Sequence, residues 1–207
     1  MAAQKSIAII IGSTRTPRVG VSISDFVKKT IETKANIDGV SVCTVDLADF
    51  KLPVYDEPSP PAMIPDADSY THEHSRRWAR EIASHDGYVL VSPEYNYGVP
   101  GGVKNAIDYV FHPWKGKPIA LVTYGLGGGS HSSDQLQHIL SKMSLQVASV
   151  RPQLTFAGGP TGSDMGSAMV SGKLGQESLA DWESKSAEEI VKSFQEVRAT
   201  VLAPIST

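Results

Sequence analysis

The loop from Gly12 to Gly20, with the sequence Gly-Ser-Thr-Arg-Thr-Pro-Arg-Val-Gly, has the composition of an anion-binding site. It leads from an apolar run into an amphipathic stretch, so the unpaired N–H groups and the dipole of a helix start lie beside it. Ser13 offers a hydroxyl group, and Arg15 and Arg18 can neutralise a phosphate monoester through charge-assisted hydrogen bonds. No Walker A lysine or Gly-x-Gly-x-x-Gly occurs here, which disfavours a nucleoside triphosphate or a firmly held dinucleotide. The alternative is that both arginines are solvated and that the hydroxyl residues only cap the helix.

Two further loops combine small and aromatic residues. The segment Pro-Glu-Tyr-Asn-Tyr-Gly at 93–98 offers amide donors and acceptors together with an aromatic wall. The glycine-rich run at 124–131 can approach a ligand without side-chain clash. The alternative for the first of these loops is that its two tyrosines anchor the chain, while Asn96 and Gly98 only make a turn.

The remaining chemistry-bearing residues form no recognisable catalytic or metal-binding pattern. His72 and His74 are two residues apart and would point in different directions on a helix, so we expect no metal site there. Ser130 lacks the Gly-x-Ser-x-Gly spacing of a nucleophile elbow. Cys43 is the single cysteine, and we expect it to be a small buried residue of a strand. We therefore assign no catalytic side chain.

Alternating apolar runs and amphipathic stretches predict five strands and five helices. The strands are expected at about 6–11, 40–46, 87–92 and 117–124 and within 147–156, as apolar runs typical of a buried parallel sheet. The helices are expected at about 23–31, 70–84, 100–110, 133–143 and 178–201, where apolar residues recur at three and four positions. The segments 47–65 and 158–175 are expected to be loops, because they are rich in proline and in glycine respectively.

This order of elements predicts a single α/β domain over residues 1–207. Crossovers long enough to hold helices call for a parallel sheet with helices on both faces, and right-handed crossovers restrict its topology. Five strands favour the flavodoxin-like order 2-1-3-4-5 in a three-layer sandwich. In that order, a ligand is expected at the carboxyl ends of strands one and three, where the first two loops lie.

The overall composition excludes several classes of protein. An apolar share of 41% and a charged share of 20% are ordinary for a globular chain, so disorder, collagen and coiled coil are excluded. A net charge of -3 leaves no broad basic footprint, so we expect no nucleic-acid partner. The early apolar run is too short to span a bilayer, so we expect no membrane partner. The lone cysteine favours the reducing cytoplasm.

The motifs together resemble a known family, the NAD(P)H-dependent FMN reductases of flavodoxin-like fold, which include quinone, azo-dye and chromate reductases. The family pattern Pro-Glu-Tyr-Asn, followed by Lys-Asn-x-Ile-Asp, stands here at 93–96 and 104–108, and the Gly-Ser-x-Arg phosphate loop stands at 12–15. The third loop matches in part, because Ser130 and His131 stand where many relatives carry an arginine. We give the polar residues of the second motif, Lys104, Asn105 and Asp108, no catalytic role.

The resemblance implies FMN as the cofactor and NADPH or NADH as a transient electron donor. The residues implied in binding FMN fall into three groups. They are Ser13, Arg15, Arg18, Val19 and Gly20 for the phosphate, Pro93, Glu94, Tyr95 and Asn96 for the ring, and Gly125, Gly127 and Gly128 as backbone donors at its pyrimidine edge.

The resemblance further implies a two-electron oxidoreductase that works by ping-pong hydride transfer to a small-molecule acceptor such as a quinone. Relatives are commonly dimers or tetramers, so a homodimer or homotetramer is expected. Two alternatives stay open. One is a flavin-binding electron carrier or redox-sensing module without efficient NAD(P)H turnover, and the other is an anion-binding domain that lacks flavin.

Overall fold

The computed structural model describes residues 4–204. Within this range, six parallel strands form one sheet. Their order is β2-β1-β3-β4-β5, with β6 also paired to β4, which confirms the predicted flavodoxin-like order. The central strands are apolar and buried on both faces, as expected for a parallel sheet covered by helices. The strands are β1 (Lys5–Ile11), β2 (Val40–Asp46), β3 (Gly87–Pro93), β4 (Pro118–Gly125), β5 (Gln146–Val147) and β6 (Gln153–Thr155).

Helices cover the sheet in two layers. One core cluster packs α2, α3 and α4 on one face, and the other packs α1 and the three C-terminal helices on the opposite face. Within residues 4–204, no helix is both long and apolar enough to cross a membrane. The helices are α1 (Gly20–Lys34), α2 (Glu73–Ala83), α3 (Gly101–Asp108), α4 (Ser130–Lys142), α5 (Ser163–Ser171), α6 (Gln176–Lys185) and α7 (Ala187–Leu202).

The fifth predicted strand is interrupted in the middle. The carboxylate of Glu196 on α7 accepts hydrogen bonds from the backbone N–H groups of Ser149, at 2.6 Å, and Val150, at 3.4 Å. Pro152 has no N–H to donate to a ladder. Ala148 and Pro152 still bond to Ile119 and Thr123 of β4, at 2.9 and 3.0 Å, but two N–H groups between them bond to a helix, so two short strands replace one long strand.

The C-terminal quarter differs most from the sequence expectation. The predicted loop at 158–175 contains α5, and the predicted last helix is two helices, α6 and α7. Ser186 separates the two with φ −112° and ψ −16°, and its N–H closes α6 on the carbonyl of Trp182. Asp164 lies in the first turn of α5, and its buried carboxylate accepts the N–H of Ser178 at 2.7 Å. That bond joins the beginning of α5 to α6.

Polar residues that the sequence left without a role bind neighbouring parts of the chain. The Asn105 amide donates to the Pro53 carbonyl at 2.6 Å and accepts the N–H of Tyr55 at 3.0 Å, so it holds the loop after β2. The imidazoles of His72 and His74 both lie against Asp56, at 4.0 and 2.9 Å, and their rings stack. The expectation that they point in different directions is wrong, because His72 precedes α2 and has an extended backbone. These contacts serve the loop that precedes α2.

Cys43 on β2 packs against the core but is only partly buried, so it is more exposed than expected. Its Sγ lies 3.8 Å from Nδ1 of His85, and Nε2 of His85 lies 3.1 Å from the carboxylate of Glu81. The hydrogen bond with His85 lowers the pKa of the Cys43 thiol, although burial opposes this effect. A larger fraction of the thiol is therefore thiolate at neutral pH than in an ordinary cysteine.

The pH dependence of alkylation tests this pairing. We expect the iodoacetamide rate of Cys43 to rise with pH through a midpoint lower than that of the urea-unfolded chain, because only the thiolate reacts. His85→Gln is expected to move the midpoint upward, since it removes the imidazolium that stabilises the thiolate. Equal midpoints in the folded wild type, the variant and the unfolded chain would contradict the pairing.

Candidate functional site

A cleft of about 560 Å³ opens where β1, β3 and β4 end, and a narrower recess of about 40 Å³ adjoins it. This size suits a small-molecule site. The cleft and the recess share six lining residues, among them Arg15, Glu94, Tyr95 and Gly125, so the three predicted loops do meet. Eight residues chosen from the sequence line the combined space: Arg15, Val19, Pro93, Glu94, Tyr95, Asn96, Gly125 and Gly127.

Four other residues chosen from the sequence lie behind this lining. Ser13 is buried two residues after the end of β1, while Gly20 begins α1. Gly128 is buried against Gln153 of β6. Arg18 is half-buried and turns toward the end of β2. These residues shape the loops, and the cleft surface is formed by their neighbours.

Arg15 is the exposed cation of the cleft. It makes no ion pair with any residue in the described range 4–204, and its Cζ lies 4.6 Å from the centroid of the Tyr95 ring. Burial raises the pKa of the Tyr95 phenol, against the opposing effect of Arg15, so the phenol stays neutral at physiological pH. A guanidinium with no carboxylate partner and a neutral aromatic ring therefore stand side by side in the cleft.

Arg18 is engaged within the protein. Its guanidinium binds both oxygens of the Asp46 carboxylate and donates to the Ser13 carbonyl at 2.8 Å. This fork geometry is the strong form of an arginine–carboxylate pair. Because Asp46 ends β2 and is paired in register with Ile11, the contact joins the loop after β1 to the neighbouring strand.

Replacing Arg18 by glutamine tests whether its role is structural. We expect the variant to lower the free energy of unfolding by about 1–3 kcal/mol, because the Asp46 carboxylate and the Ser13 carbonyl lose their donors. We expect a smaller loss of FMN affinity than for the equivalent change at Arg15, whose charge has no partner among the described residues. Urea unfolding and fluorescence titration measure the two effects, and a loss of affinity larger than that at Arg15 would contradict this assignment.

The loop after β3 contains a strained turn. Tyr95 and Gly98 exchange backbone hydrogen bonds at 3.1 Å in both directions, and the two residues between them, Asn96 and Tyr97, have φ of 49° and 60°. Two consecutive non-glycine residues in the left-handed region are uncommon, and such strain clusters at functional sites. Tyr97 is 78% exposed with its ring edge-on to His131, so it does not anchor the loop in the core.

The loop after β4 presents backbone donors to the cleft. The Gly128 N–H closes a tight turn on the Gly125 carbonyl at 3.2 Å, whereas the N–H groups of Leu126 and Gly127 find no acceptor in the described part of the chain. The Glu94 carboxylate accepts the N–H of Ser132 in the first turn of α4, at 3.1 Å. Glu94 thus fixes this helix start beside the turn.

Some lining residues were not predicted from the sequence. Ser130 and His131, which were given no role, line the cleft, and Tyr124 and Phe156 line the recess. The largest omission is α5, which contributes Met165, Ala168 and Met169. Their spacing of three and four residues is the signal for a helical stripe, but it lies within a segment whose glycines favour a loop.

Comparison with known proteins decides the family. The sequence model described as NADPH-dependent FMN reductase matches residues 6–161. The chain belongs to this family. The match covers β1 through β6 and all three loops of the cleft, and it confirms the resemblance noted in the sequence. The protein is therefore an NAD(P)H-dependent oxidoreductase that uses FMN.

Individual relatives agree with this family assignment. The NAD(P)H-dependent FMN reductase ntnL of Nectria sp is 42% identical over 200 residues, which cover 96% of this chain and 98% of the relative. The NAD(P)H-dependent FMN reductase C4B3.06c of Schizosaccharomyces pombe is 40% identical over 72% of each chain. A quinone reductase of Escherichia coli is 41% identical over 39% of this chain and 45% of its own length.

Solved structures agree in fold. The flavoenzyme NAD(P)H:(acceptor) oxidoreductase FerB of Paracoccus denitrificans superimposes with a TM-score of 0.63 at 22% identity, over 93% of this chain and 98% of FerB. RosB, solved with a bound riboflavin-5'-phosphate derivative, gives a TM-score of 0.64 at 14% identity, over 96% of this chain and 79% of RosB. At these identities the likeness establishes the flavodoxin-like architecture.

The residues of this FMN reductase fit the phosphate end of FMN. Ser13 Oγ is buried and has no hydrogen-bond partner among the described residues. The first turn of α1 has neither a side-chain cap nor an acidic residue, and the N–H groups of Gly20, Val21 and Ser22 have no acceptor within residues 4–204, so they can bind an anion. A Cβ added at Gly20 would lie 2.1 Å from Ser13 Oγ, so only glycine lets the helix begin this close to that hydroxyl group.

Proposed function

We propose that the enzyme passes two electrons from NAD(P)H through FMN to a quinone or a similar acceptor by a ping-pong mechanism. Three loops converge in one cleft of about 560 Å³, beside the Arg15 guanidinium, which has no carboxylate partner within residues 4–204, and this convergence carries the proposal. A donor and an acceptor that use the same cleft must bind in turn. The absence of a dinucleotide fingerprint from the sequence supports a nicotinamide that visits the cleft briefly.

The phosphate loop would hold the charged end of the cofactor. Arg15 and the N–H groups at the start of α1 are the proposed phosphate contacts, with the Ser13 hydroxyl and the backbone at Val19 and Gly20 beside them. The contact between Arg18 and the phosphate remains a prediction. Its bonds to Asp46 and to the Ser13 carbonyl support a role in holding the loop in shape.

The other two loops would hold the flavin ring. Pro93 and Glu94 to Asn96 are the proposed contacts along the ring, and the N–H of Gly127, beside Gly125 in the cleft lining, is a proposed donor to its pyrimidine edge. The N–H of Gly128 already bonds to the Gly125 carbonyl, which supports a role for Gly128 in shaping the turn. When bound, FMN supplies hydride transfer at its N5 atom. Preorganised N–H donors stabilise negative charge that develops nearby, so the chain needs no acid or base side chain for this reaction.

Initial-rate kinetics on the FMN-loaded enzyme test the mechanism. With NADPH or NADH varied against 1,4-benzoquinone, we expect parallel lines in double-reciprocal plots, because each substrate meets a different form of the enzyme. Intersecting lines would contradict the ping-pong mechanism. If no NAD(P)H oxidation occurs above the rate with free FMN, the chain acts as an electron carrier and the proposed activity is wrong.

We also propose that residues 1–207 act as one FMN-binding domain that assembles as a homodimer or homotetramer in the cytoplasm. Both core clusters pack on the same sheet, which supports a single domain. Val54 and Met63, in the loop between β2 and α2, are 85% and 76% exposed, and such apolar side chains fit a subunit boundary. Light scattering during size-exclusion chromatography tests the assembly, and a monomeric mass at micromolar concentration would contradict it.

A further inference from the structure

Helix α5 lies outside the part of the chain that the family model matches. That match ends at residue 161, and α5 begins at Ser163. Nevertheless, Met165 and Met169 line both the cleft and its narrow recess. A segment that the family model does not include therefore forms part of the cleft wall in this chain.

Both ends of α5 are held by neighbouring parts of the chain. At its beginning, the buried Asp164 carboxylate accepts the N–H of Ser178 at the start of α6. At its end, Gly172 has φ of +68°, and an added Cβ would lie 2.9 Å from the backbone N and O atoms of Arg18. The phosphate loop and α5 are thus in backbone contact, and the position of α5 is coupled to the loop that holds Arg15.

The face that α5 presents to the cleft is apolar and adaptable. Met165, Ala168 and Met169 are spaced three and four residues apart, so their side chains share one face of the helix. Met169 is 55% exposed, which is a large exposure for an apolar side chain beside a cleft. Thioether side chains adjust to irregular surfaces and make favourable contacts with aromatic rings.

We propose that α5 is an additional wall of the flavin site, in which Met165 and Met169 contact bound FMN and slow its release. This inference rests on the proposed placement of FMN. The recess that both methionines line also contains Val19 and Arg15 from the phosphate loop and Tyr95 from the ring loop. A methionine side chain that lies between the phosphate loop and the ring loop contacts a cofactor that extends from one loop to the other.

Dissociation kinetics with two flavins test the proposal. The double variant M165A/M169A is expected to release both FMN and riboflavin about tenfold faster than the wild type, because the methionines contact apolar parts that the two flavins share. The matched control is Val170→Ala. Val170 lies on the same helix and is 81% exposed, and it does not line the cleft.

Methyl NMR gives a second readout that needs no variant to fold. In protein labelled with [methyl-13C]methionine, FMN is expected to shift the Met165 and Met169 resonances through the ring current. The resonance of Met63, an exposed residue of another loop, should not move. Unchanged Met165 and Met169 resonances in a sample that binds FMN, or equal release rates in M165A/M169A and V170A, would overturn the α5 wall and leave the proposed function intact. A wild type that binds no FMN would overturn both.

Discussion

Arg15→Ala is expected to weaken FMN binding ten- to a hundredfold, which corresponds to about 1.5–3 kcal/mol for a charge-assisted hydrogen bond to a phosphate. Arg15 is exposed and makes no ion pair within residues 4–204, so its removal leaves no buried partner unsatisfied. The fold is therefore expected to stay intact. Titration of the apo-protein into FMN, followed by quenching of flavin fluorescence, measures the affinity.

Riboflavin provides the internal control for this experiment, because it has the same ring and ribityl chain but no phosphate. Arg15→Ala should leave riboflavin affinity within about twofold of the wild type, and Arg80→Ala should change neither affinity. Arg80 lies on α2 in an exposed pair with Asp68 and does not line the cleft. Equal losses of FMN and riboflavin affinity in the Arg15 variant would place this side chain at the ring rather than at the phosphate.

Gly129→Ala is expected to lower the free energy of unfolding by about 2–4 kcal/mol. Gly129 has φ of +78°, and an added Cβ would lie 2.8 Å from Cβ of Thr123 and 2.9 Å from the backbone nitrogen of Tyr124. The left-handed conformation alone costs a residue with a Cβ about 1–2 kcal/mol, and the clash with β4 adds to this. Urea unfolding of the apo-protein measures the effect.

Gly127→Ala is the matched control in the same loop. Gly127 does not have a positive φ, and no atom lies within 4 Å of an added Cβ. Its substitution is expected to change the free energy of unfolding by no more than about 0.5 kcal/mol. Similar losses for the two variants would show that loop flexibility, rather than the left-handed conformation and the clash at Gly129, determines stability here.

The sheet and most of the site follow from local patterns in the sequence. The predicted bounds of β2 agree with the observed Val40–Asp46, because a short strand between a glycine and a loop has clear ends. The loops after β1, β3 and β4 were found because their motifs are contiguous, and parallel strand order then brings them to one edge. Eight of the residues chosen in this way line the cleft and its recess.

The partners of individual side chains could not be predicted from local sequence patterns. The pairing of Arg18 with Asp46 joins residues 28 positions apart, and it requires β1 and β2 to align in register at Ile11. The separation of α6 from α7 at Ser186 involves neither glycine nor proline, so no sequence signal marks it. Helix α5 was missed because the glycines around it outweighed a stripe of three apolar residues.

A crystal structure of the protein with FMN tests the central claim most directly. We expect the phosphate to lie within hydrogen-bonding distance of Arg15 and of the N–H groups at the start of α1, and the ring to lie against Glu94 to Asn96 and the loop at 125–129. FMN bound elsewhere, or in this cleft with its phosphate directed away from the loop at 12–20, would contradict the account.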